Sequence, residues 1–465
     1  MHELGELLDA QRRAFRRDGV PTVDQRKAAL RTLRGAVLLH RDDLSRAVSQ
    51  DFTHRSAHET EILELIVVIQ SIDYLLKNLQ RFMRPERRHV AATYRPGKAW
   101  VEYQPKGVIG IMSPWNYPIS LTLVPLATAL AAGNRAMVKT SELTPKTSAL
   151  LREILAAAFP TEQVAVVLGD AEVGAVFSAL PFDHLLFTGS TAVGRKVMRA
   201  ASGNLVPVTL ELGGKSPAII APGELSQRTI DAMVFGKLAN AGQTCIAPDY
   251  ALVHRADIPA FVDAFDAAVR RFYPAGPTSP DYSAIVNEKH TQRLTALLSD
   301  ASAAGATVRP VGVRSESAAQ RRQTIAPTVV LDALDTSALM QDEIFGPILP
   351  IRPYDTLDEA IDFIDARPRP LALYYFGPET EGRRVLARTT SGNVCLNATL
   401  LHFAQDDLPF GGIGPSGMGA YHGIEGFRSL SHAKGIYAPG RWNIATRMHA
   451  PFRRLAALAA WMNLR

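Results

Sequence analysis

The sequence predicts an α/β protein with a parallel, doubly wound sheet and a second α/β domain. Short apolar strands alternate with helical stretches from Gly107 onward, and a second set of strands follows Gly213. Such alternation is typical of parallel sheets joined by crossover helices. The length of 465 residues also exceeds what one compact core supports. Residues 84–106 contain three prolines around short β-favouring pieces, which predicts an additional exposed hairpin.

Two helices and the hairpin are predicted before Gly107. Residues 22–50 are expected to form one amphipathic helix, with Thr22 and Asp24 as cap candidates and an apolar side at Leu30, Leu33 and Val37. Residues 59–79 are expected to form the second helix, with one apolar side made of Ile62, Leu65, Ile66 and Ile69. The hairpin strands are expected at residues 89–94 and 100–103.

Both sheets are expected from short apolar strand candidates. Those of the first sheet are residues 108–114, 135–141, 164–169, 184–190 and 207–212. The helices between them are expected at residues 119–132, 145–158 and 191–202. Strands of the second domain are expected at residues 217–222, 251–255, 328–331, 347–354, 372–377 and 393–397. The chain ends in a basic tail, residues 441–465, with a helical stripe of Leu455, Leu458 and Trp461.

The composition argues against a secreted, membrane-spanning or nucleic-acid-binding protein. Two cysteines are too few for a disulfide framework, so reduced thiols in the cytoplasm are expected. No apolar signal-peptide core begins the chain. The longest apolar stretch, residues 119–132, is interrupted by Pro125 and is too short for a bilayer. The net charge of +6 comes with scattered arginines and without a nucleic-acid-binding motif.

Cys245 is the candidate nucleophile. It follows Ala241 and Gly242 in a polar segment, where a tight turn would expose its sulfur. Most lone cysteines are buried structural residues, and Cys395, inside a predicted strand, fits that role better. A cysteine with the ordinary pKa of about 8.5 needs a base or a lowered pKa to attack at neutral pH.

Two polar residues are candidates to assist a nucleophile. Glu211 ends an apolar strand before two glycines, and a carboxylate among apolar neighbours has a raised pKa that suits a general base for water. A helix cap or a solvated carboxylate is the commoner role of a glutamate. Asn116 lies between two aromatic residues and two prolines. Its amide can donate to an oxyanion, or the residue can be an ordinary turn former.

Two glycine-containing strings are candidates for phosphate binding. Residues 412–417 match G-x-G-x-x-G, but no confident strand precedes them, no helix follows, and Pro415 interrupts them, so we reject this string. Residues 187–194 run from a strand through Gly189 and Ser190 into a helix, whose N-terminal amides suit a pyrophosphate. The sequence has no His and Cys spacing typical of a metal site.

Seven of these segments, in order, resemble the aldehyde dehydrogenase superfamily along nearly the whole chain. They are PWNYP, VKTSE, FTGS, LELGGKSP, GQTC, EIFGP and PFGGIGPSGMG. GQTCIAPDY and GMGAYHGIEGF resemble the class 3 branch, and DFTHRSAHETEILE is similar to bacterial coniferyl aldehyde dehydrogenases. The resemblance implies an NAD- or NADP-dependent enzyme that oxidises an aldehyde to a carboxylic acid through a thioester, without a metal.

The resemblance also implies a role for each site residue. Cys245 is the nucleophile, Glu211 the base for the deacylating water, and Asn116 the oxyanion donor. The cofactor residues are Lys139 and Glu142 at the adenosine ribose, Gly189 and Ser190 at the pyrophosphate, Glu343 at the nicotinamide ribose, and Phe345 at the nicotinamide face. Trp115 is a further cofactor contact. The aldehyde is expected in a funnel of Tyr117, Ile246, His402 and Phe403. Structural alternatives remain, since Lys139 and Glu142 can form an ion pair and Phe345 can be a core residue.

The resemblance implies a domain organisation and a partner as well. Residues 1–87 and 107–212 are expected to form a Rossmann-like dinucleotide-binding domain, and residues 213–429 a catalytic domain. Residues 88–106 and 430–440 are expected to form a small β element for oligomerisation, because class 3 relatives are typically homodimers. The tail, residues 441–465, is expected to pack on the protein, with contact at an anionic membrane surface as the alternative.

Other functions stay open at this point. A cysteine hydrolase would pair a cysteine with a distant histidine, but it leaves VKTSE, FTGS and EIFGP unexplained. A CoA-acylating semialdehyde dehydrogenase should lack Glu211, and a catalytically silent relative should lack a catalytic residue. The cofactor is NAD or NADP, because Glu142 should repel a 2′-phosphate whereas class 3 relatives with this glutamate often accept both. The substrate is an aromatic, coniferyl-aldehyde-like aldehyde or a medium-chain aliphatic one.

Overall fold

Three β-sheets and the helices around them make up the protein. The computed structural model describes residues 2–312, 321–442, 449–452 and 454–463. The sheets contain six, seven and three strands. The two larger sheets are the α/β sheets that the sequence predicts, and one continuous apolar core includes residues of both, such as Ile111 and Ile220.

Helices lead the chain into the first sheet. They are α1 (His2–Asp18), α2 (Val23–Leu39), α3 (Arg41–Asp51), α4 (Ala57–Thr60), a π-helical turn (Glu61–Leu65) and α5 (Ile66–Phe82). The predicted cap of α2 is present. The Thr22 hydroxyl accepts from the Gln25 N–H at 3.3 Å, and the Gln25 side chain accepts from the Thr22 N–H at 2.8 Å.

The prediction of one helix over residues 22–50 is wrong. The chain leaves helical geometry at His40, which has φ −108° and ψ 17° and separates α2 from α3. The break lets α2 pack on α5 and α6 (Ser120–Ala131) while α3 packs on α7 (Pro145–Ala158). Neither glycine nor proline marks residue 40, so packing decides where the helix ends.

The predicted apolar side of the second helix is also wrong in part. Leu65 is buried, but Ile62 and Ile66 are 55% and 46% exposed. The buried side of α5 consists instead of Val68, Ile72, Leu75 and Leu79. A π-helical turn has more residues per turn than an α-helix, so the turn before α5 changes which side chains face the core.

The hairpin region belongs to a three-stranded antiparallel sheet. Its strands are β1 (Glu86–Arg88), β2 (Lys98–Pro105) and β16 (Ser431–Ala438), in the order β1-β2-β16. Strand β2 includes the predicted residues 100–103. The strand predicted at residues 89–94 is wrong, because Ala92–Tyr94 forms a 3-10 turn and the strand that pairs with β2 ends at Arg88. Strand β16 lies at one edge of this sheet.

The six-stranded sheet contains the first set of predicted strands. They are β3 (Val108–Met112), β4 (Arg135–Lys139), β5 (Val164–Val167), β6 (His184–Thr188) and β7 (Val208–Glu211). The helices between them are α6 (Ser120–Ala131), α7, α8 (Ala171–Ser178) and α9 (Thr191–Ser202), of which only α8 is not predicted. The parallel strands lie in the order β7-β6-β3-β4-β5. Because the order reverses between β3 and β6, the loops after these two strands leave a crevice at the carboxyl edge of the sheet.

The seven-stranded sheet contains the second set. Its strands are β8 (Pro217–Ile220), β9 (Tyr250–His254), β10 (Thr307–Pro310), β11 (Thr328–Leu331), β12 (Ile348–Tyr354), β13 (Ala372–Phe376) and β14 (Asn393–Leu396). The helices are α10 (Gln227–Leu238), α11 (Ile258–Phe272), α12 (Glu288–Ala303), α13 (Ala338–Gln341), α14 (Leu357–Asp365) and α15 (Glu379–Arg388). All neighbouring strands are parallel except β10, an edge strand that the sequence analysis missed because three of its four residues are exposed.

The chain returns to the first sheet before it ends. Strand β15 (Gly417–Met418) pairs with β7, and α16 (Gly423–Ser429) packs on α5 and α6. Residues 417–429 therefore contact the first α/β unit, although the predicted catalytic domain runs from 213 to 429. The domain division itself stays a prediction.

The tail contains α17 (Arg454–Asn463), as its helical stripe predicts. Leu458 and Trp461 are about half exposed. Arg453 and the side chain of Leu455 lie outside the described residues. In the part of the chain that the structure describes, no helix is long and apolar enough to cross a membrane.

Candidate active site

Cys245 follows a tightly folded turn after α10. Residues 240–242 have φ values of 51°, 50° and 74°, all in the left-handed region. Such backbone costs about 1–3 kcal/mol for a residue other than glycine and persists where its surroundings hold it. Here the Asn240 side chain donates to the carbonyls of Asn116 and Gln243 at 2.9 and 3.2 Å. These bonds fix the turn against the loop that contains Asn116.

Gly242 and Gln243 complete this turn. A Cβ on Gly242 would collide with the carbonyl oxygen of Gly346, so this glycine first serves the backbone of the turn. The Gln243 amide donates to the Ala284 carbonyl at 3.0 Å and accepts from the Val286 N–H at 2.9 Å.

A buried ion pair holds the loop of Asn116. The side chains of Arg55 and Glu64 are both 0% exposed, and their charged atoms lie 2.9 Å apart. Arg55 also donates to the Asn116 carbonyl at 3.1 Å. Glu64 accepts from the N–H groups of Ile119 and Ser120 at 2.6 and 3.0 Å. Sequence analysis missed this clamp, although a single acidic residue in the apolar run ILELIVVI is a signal for it.

The side-chain amide of Asn116 lies beside the Cys245 turn. Its nitrogen donates one hydrogen to the Gln243 carbonyl at 3.1 Å. A primary amide has two N–H groups, so the other can bind a ligand atom. Asn116 and Cys245 line the same cleft. The Asn116 amide and the Cys245 backbone N–H are thus suited to hold an oxyanion next to the sulfur.

Two hollows of the molecule meet at Cys245. One, the polar cleft, has a volume of about 220 Å³ and includes Trp115, Asn116, Gly189, Ser190, Glu211, Cys245, Glu343 and Phe345. The other, the apolar cavity, has a volume of about 160 Å³ and also includes Cys245. The polar cleft lies at the crevice that the strand order produces. Cys395 lines neither of these two hollows.

Two buried carboxyl groups face the polar cleft. Neither oxygen of Glu211 finds a hydrogen-bond partner among the described residues, and the same holds for Glu343 Oε1. Burial raises the pKa of Glu211 well above its usual value, as the sequence predicts. Burial, together with the charge of Asp249, raises the pKa of Glu343 to about 8. A carboxyl group with a pKa of about 8, such as that of Glu343, can take up and release protons near neutral pH.

Burial raises the pKa of the Cys245 thiol, and the carboxyls of Glu343 and Glu211 add to the effect. Burial also raises the pKa of Cys395. A positive charge that enters the polar cleft would favour the Cys245 thiolate, because an opposite charge lowers the pKa of an acid.

The polar cleft fits a dinucleotide. Helix α9 begins beside it, and its cap Ser190 uses its hydroxyl to accept from the Val193 N–H at 3.4 Å. The N-terminus of a helix attracts phosphate through its free N–H groups. The rings of Trp115 and Phe345 lie 5.4 Å apart and form an aromatic wall. Phe345 has a φ of 51°, so it is also a strained residue next to the cleft.

The rejected glycine string has another position. Residues 412–417 form a loop with a bridge between Gly414 and Gly417, and they open no helix. The Pro415 carbonyl accepts from the Thr191 hydroxyl at 3.0 Å. The loop therefore packs against the start of α9 instead of forming the phosphate site of a G-x-G-x-x-G turn.

Lys139 and Glu142 form the ion pair that the sequence left open. Their charged atoms lie 3.1 Å apart, with Lys139 buried and the Glu142 side chain 44% exposed. Lys139 is the last residue of β4 and Glu142 follows the strand, at the same carboxyl edge of the sheet as the polar cleft. Neither residue lines the polar cleft, so their contact with a ribose stays a prediction.

Three of the four predicted aldehyde contacts line the apolar cavity, namely Tyr117, Ile246 and Phe403. His402 does not lie in this wall, which corrects the prediction. Its ring packs 5.8 Å from Tyr374 and 6.1 Å from Phe410, and burial lowers its pKa to about 4. His402 thus packs among buried aromatic rings, whereas Phe403 lines the cavity.

Other residues of the site were missed by sequence analysis. Ile62, Leu63 and Val67 come to the apolar cavity from the helices before the first sheet, and His290 and Arg293 of α12 line the polar cleft. Exposed apolar side chains such as Ile62 become meaningful only when a cavity is seen beside them. No sequence motif singles out the two α12 residues.

Comparison with known proteins shows the family to which the chain belongs. Residues 2–436 match the aldehyde dehydrogenase family. The probable coniferyl aldehyde dehydrogenase of Pseudomonas aeruginosa is 48% identical over 453 residues, 97% of this chain and 94% of that protein. Aldehyde dehydrogenase family 3 member B1 of Rattus norvegicus is 38% identical over 471 residues, 100% of this chain and 98% of that protein.

Solved structures show the same fold. The substrate-bound state of Staphylococcus aureus AldH has a TM-score of 0.88 and 37% identity, and the match covers 94% of each chain. The Mycobacterium tuberculosis aldehyde dehydrogenase complexed with NAD⁺ has a TM-score of 0.84 and 29% identity, over 94% of this chain and 90% of that one. The resemblance read from the seven segments is confirmed, and the chain belongs to the aldehyde dehydrogenase family.

Proposed function

We propose that this protein oxidises an aromatic aldehyde to its carboxylic acid, with NAD or NADP as the oxidant and a thioester on Cys245 as the intermediate. The observation that carries the proposal is the junction at Cys245, where the apolar cavity meets the polar cleft. An aldehyde in the apolar cavity can present its carbonyl carbon to the sulfur. Cofactor and water can reach the same carbon from the polar cleft, which also contains Glu211.

Cys245 and Asn116 carry the first half of the reaction. The thiol releases its proton to water in the cleft, and the sulfur adds to the aldehyde carbon. The carbonyl oxygen becomes an oxyanion that accepts from the Asn116 amide and the Cys245 backbone N–H. Removing one such donor costs about 2.7–4 kcal/mol of transition-state stabilisation in a comparable site. The nicotinamide, when bound, supplies a positive ring that favours the thiolate and accepts the hydride from the former aldehyde carbon.

Glu211 carries the second half. Loss of hydride leaves a thioester on Cys245, which water must cleave. The Glu211 carboxylate takes a proton from that water while the water oxygen attacks the thioester carbon, and the carbon–sulfur bond then breaks. No described residue holds the Glu211 oxygens, so both are available to a water molecule. Burial raises its pKa well above the usual value of a glutamate, which makes the carboxylate a stronger base toward water.

Residues around the polar cleft would hold the cofactor. The start of α9 would bind the pyrophosphate through Gly189 and Ser190, and Glu343 would bind the nicotinamide ribose. The remaining contacts would come from Trp115, Phe345, Lys139 and Glu142. The negative charge of Glu142 disfavours a 2′-phosphate, but it is half-exposed and paired with Lys139. We therefore keep both NAD and NADP in the proposal.

The apolar cavity supports an aromatic substrate. Its volume is about 160 Å³, and an apolar cavity of about 150 Å³ is large enough to bind benzene. Rings of Tyr117, Phe235 and Phe403 line it, and aromatic rings favour edge-to-face contacts with one another. Relatives named as coniferyl aldehyde dehydrogenases, 48% and 44% identical to this chain, support the same substrate class.

Initial rates over a panel of aldehydes test the proposal. Cinnamaldehyde-type and benzaldehyde-type substrates and medium-chain alkanals would each be assayed with NAD and with NADP, by the absorbance of the reduced cofactor. We expect the highest kcat/KM with the aromatic aldehydes and a free carboxylic acid as product without added CoA. A requirement for CoA, a preference for alkanals, or no reduced cofactor with any aldehyde would contradict the proposal.

We also propose that two copies of the chain pair through the edge strand β16. This strand is eight residues long, and an open strand edge tends to pair with another strand. Sedimentation velocity at micromolar concentration should show a dimer, and a monomer alone would contradict this. A cytoplasmic location is supported by the two free cysteines, since disulfides are rare in that compartment.

A further inference from the structure

Four polar side chains belong to the wall of the apolar cavity: Tyr117, Ser120, Thr244 and Cys245. The hydroxyls of Tyr117 and Thr244 bond to each other at 2.7 Å. Cys245 is the nucleophile of the proposed reaction. Ser120 is 1% exposed, and its hydroxyl has no hydrogen-bond partner among the described residues. Within this wall as described, Ser120 therefore has a polar group that neither pairs nor reacts.

Other hydroxyls of the same helix are satisfied. A Ser or Thr hydroxyl in a helix commonly donates to the carbonyl four residues earlier. Thr122 of α6 donates to the Pro118 carbonyl at 2.6 Å, and Thr128 donates to the Val124 carbonyl at 3.0 Å. The helix thus offers local acceptors to its buried hydroxyls, and Ser120 is an exception.

The buried clamp explains the exception. The carbonyl four residues before Ser120 is that of Asn116, which already accepts from Arg55 at 3.1 Å and from Asn240 at 2.9 Å. A carbonyl oxygen has two lone pairs, and both are used. The backbone N–H of Ser120 donates to Glu64 at 3.0 Å, so the residue cannot easily move to another acceptor.

A hydroxyl that is fixed, buried and without a partner is suited to bind a ligand. Leaving such a group unpaired costs folding free energy, and a hydrogen bond from a bound molecule restores what is lost. In the proposed reaction, Asn116 and the Cys245 backbone hold the aldehyde oxygen of the substrate. The oxygen that Ser120 binds must therefore be a second one.

We infer that Ser120 determines specificity by forming a hydrogen bond with a hydroxyl group on the ring of an aromatic aldehyde. The inference rests on the proposed function, since it assigns a residue to recognition of that substrate class. Apart from the Tyr117–Thr244 pair and the reacting Cys245, the rest of the cavity wall, with side chains such as Leu63 and Phe235, offers apolar contact to such a hydroxyl. A ring without the hydroxyl would leave Ser120 unsatisfied in the complex.

A pair of substrates isolates this contact. The kcat/KM would be measured for 4-hydroxycinnamaldehyde and for cinnamaldehyde, with the wild-type protein and with Ser120→Ala. We expect the ratio of kcat/KM for 4-hydroxycinnamaldehyde to kcat/KM for cinnamaldehyde to be about threefold to tenfold lower in the variant than in the wild type. This change corresponds to one neutral hydrogen bond. The effect of the ring hydroxyl on the reactivity of the aldehyde is the same with both proteins, so it cancels when their ratios are compared.

Ser45→Ala provides a matched control. Ser45 of α3 is also buried, its hydroxyl also has no partner among the described residues, and it lies outside the apolar cavity. This variant should keep the wild-type ratio. Because Ser120→Ala removes an unpaired group, its urea unfolding midpoint should not fall below that of the wild type, which shows that the variant is folded.

The possible results separate the two proposals. A ratio in Ser120→Ala equal to the wild-type ratio, with normal turnover of aromatic aldehydes, would overturn the role of Ser120 and leave the proposed function standing. An equal fall of the ratio in Ser45→Ala would overturn it as well. A wild-type protein that oxidises neither cinnamaldehyde would instead contradict the proposed function.

Discussion

Replacing Glu64 by glutamine tests whether a buried charge positions the catalytic asparagine. The Glu64 carboxylate accepts from Arg55 at 2.9 Å and from the N–H groups of Ile119 and Ser120 at 2.6 and 3.0 Å. Burial raises the pKa of Glu64, and the charge of Arg55 and the two backbone N–H groups oppose this rise. A glutamine can keep its oxygen on the two backbone N–H groups. Its NH₂ then faces the Arg55 guanidinium, donor against donor.

The expected loss follows from the burial of the pair. Removing one partner of a buried ion pair costs about 3–5 kcal/mol, because the other charge remains uncompensated. The carboxylate of Glu59 lies 3.7 Å from Arg55 and still compensates it in part. We therefore expect a loss near the lower end, about 3 kcal/mol. Since Arg55 also donates to the Asn116 carbonyl, we expect kcat to fall about 10- to 100-fold as the oxyanion donor is displaced.

Urea unfolding and steady-state kinetics measure the two effects. Glu379→Gln is the matched control, because Glu379 forms an exposed i,i+4 pair with Arg383 and such pairs contribute little. Adding Arg55→Met to Glu64→Gln removes the uncompensated charge and should recover stability. The Asn116 carbonyl would still accept from Asn240. A loss below about 1 kcal/mol with an unchanged kcat would refute the idea that this pair holds Asn116.

The remaining predictions concern the nucleophile, the base and the tail. Cys245→Ala should bind cofactor and yield no reduced cofactor from any aldehyde, while Cys395→Ala should keep turnover; appreciable turnover in Cys245→Ala would refute the mechanism. Glu211→Gln should give a burst of reduced cofactor followed by very slow turnover in rapid-mixing experiments, and absence of the burst would mean that Glu211 acts earlier. Because the pKa of Glu211 is raised, the wild-type steady-state rate should increase with pH as the carboxyl loses its proton, well above the usual range of a glutamate, and Glu211→Gln should lack this increase. Deleting residues 441–465 should lower thermal stability or change the aldehyde profile with little effect on liposome binding, whereas cosedimentation of the intact protein with anionic liposomes that the deletion abolishes would favour a membrane contact.

Local patterns in the sequence were enough for most strands of the two α/β sheets and for the hypothesis that Cys245 is a nucleophile. Each strand from β3 to β7 falls within a predicted segment, because a strand buried on both faces is a short apolar run between turn residues. Glu211 could be proposed as a base for a similar reason, since a carboxylate at the end of an apolar strand is buried when both faces of that strand are covered. The seven family segments then supplied the remaining site residues and the family itself.

Tertiary contacts decided what lay between these segments. The break at His40 and the π-helical turn before α5 follow from packing on other helices, and the local sequence gives no signal for either. The local sequence also gives no signal that His402 packs among buried residues while the next residue, Phe403, lines the apolar cavity. The clamp of Arg55 and Glu64 joins residues that lie about fifty to sixty positions before Asn116, and the unpaired hydroxyl of Ser120 results from that clamp. A hydrogen bond that is missing because its acceptor is already occupied can be seen only when every partner is in place, and for this reason the recognition of a substrate ring was beyond the reach of the sequence alone.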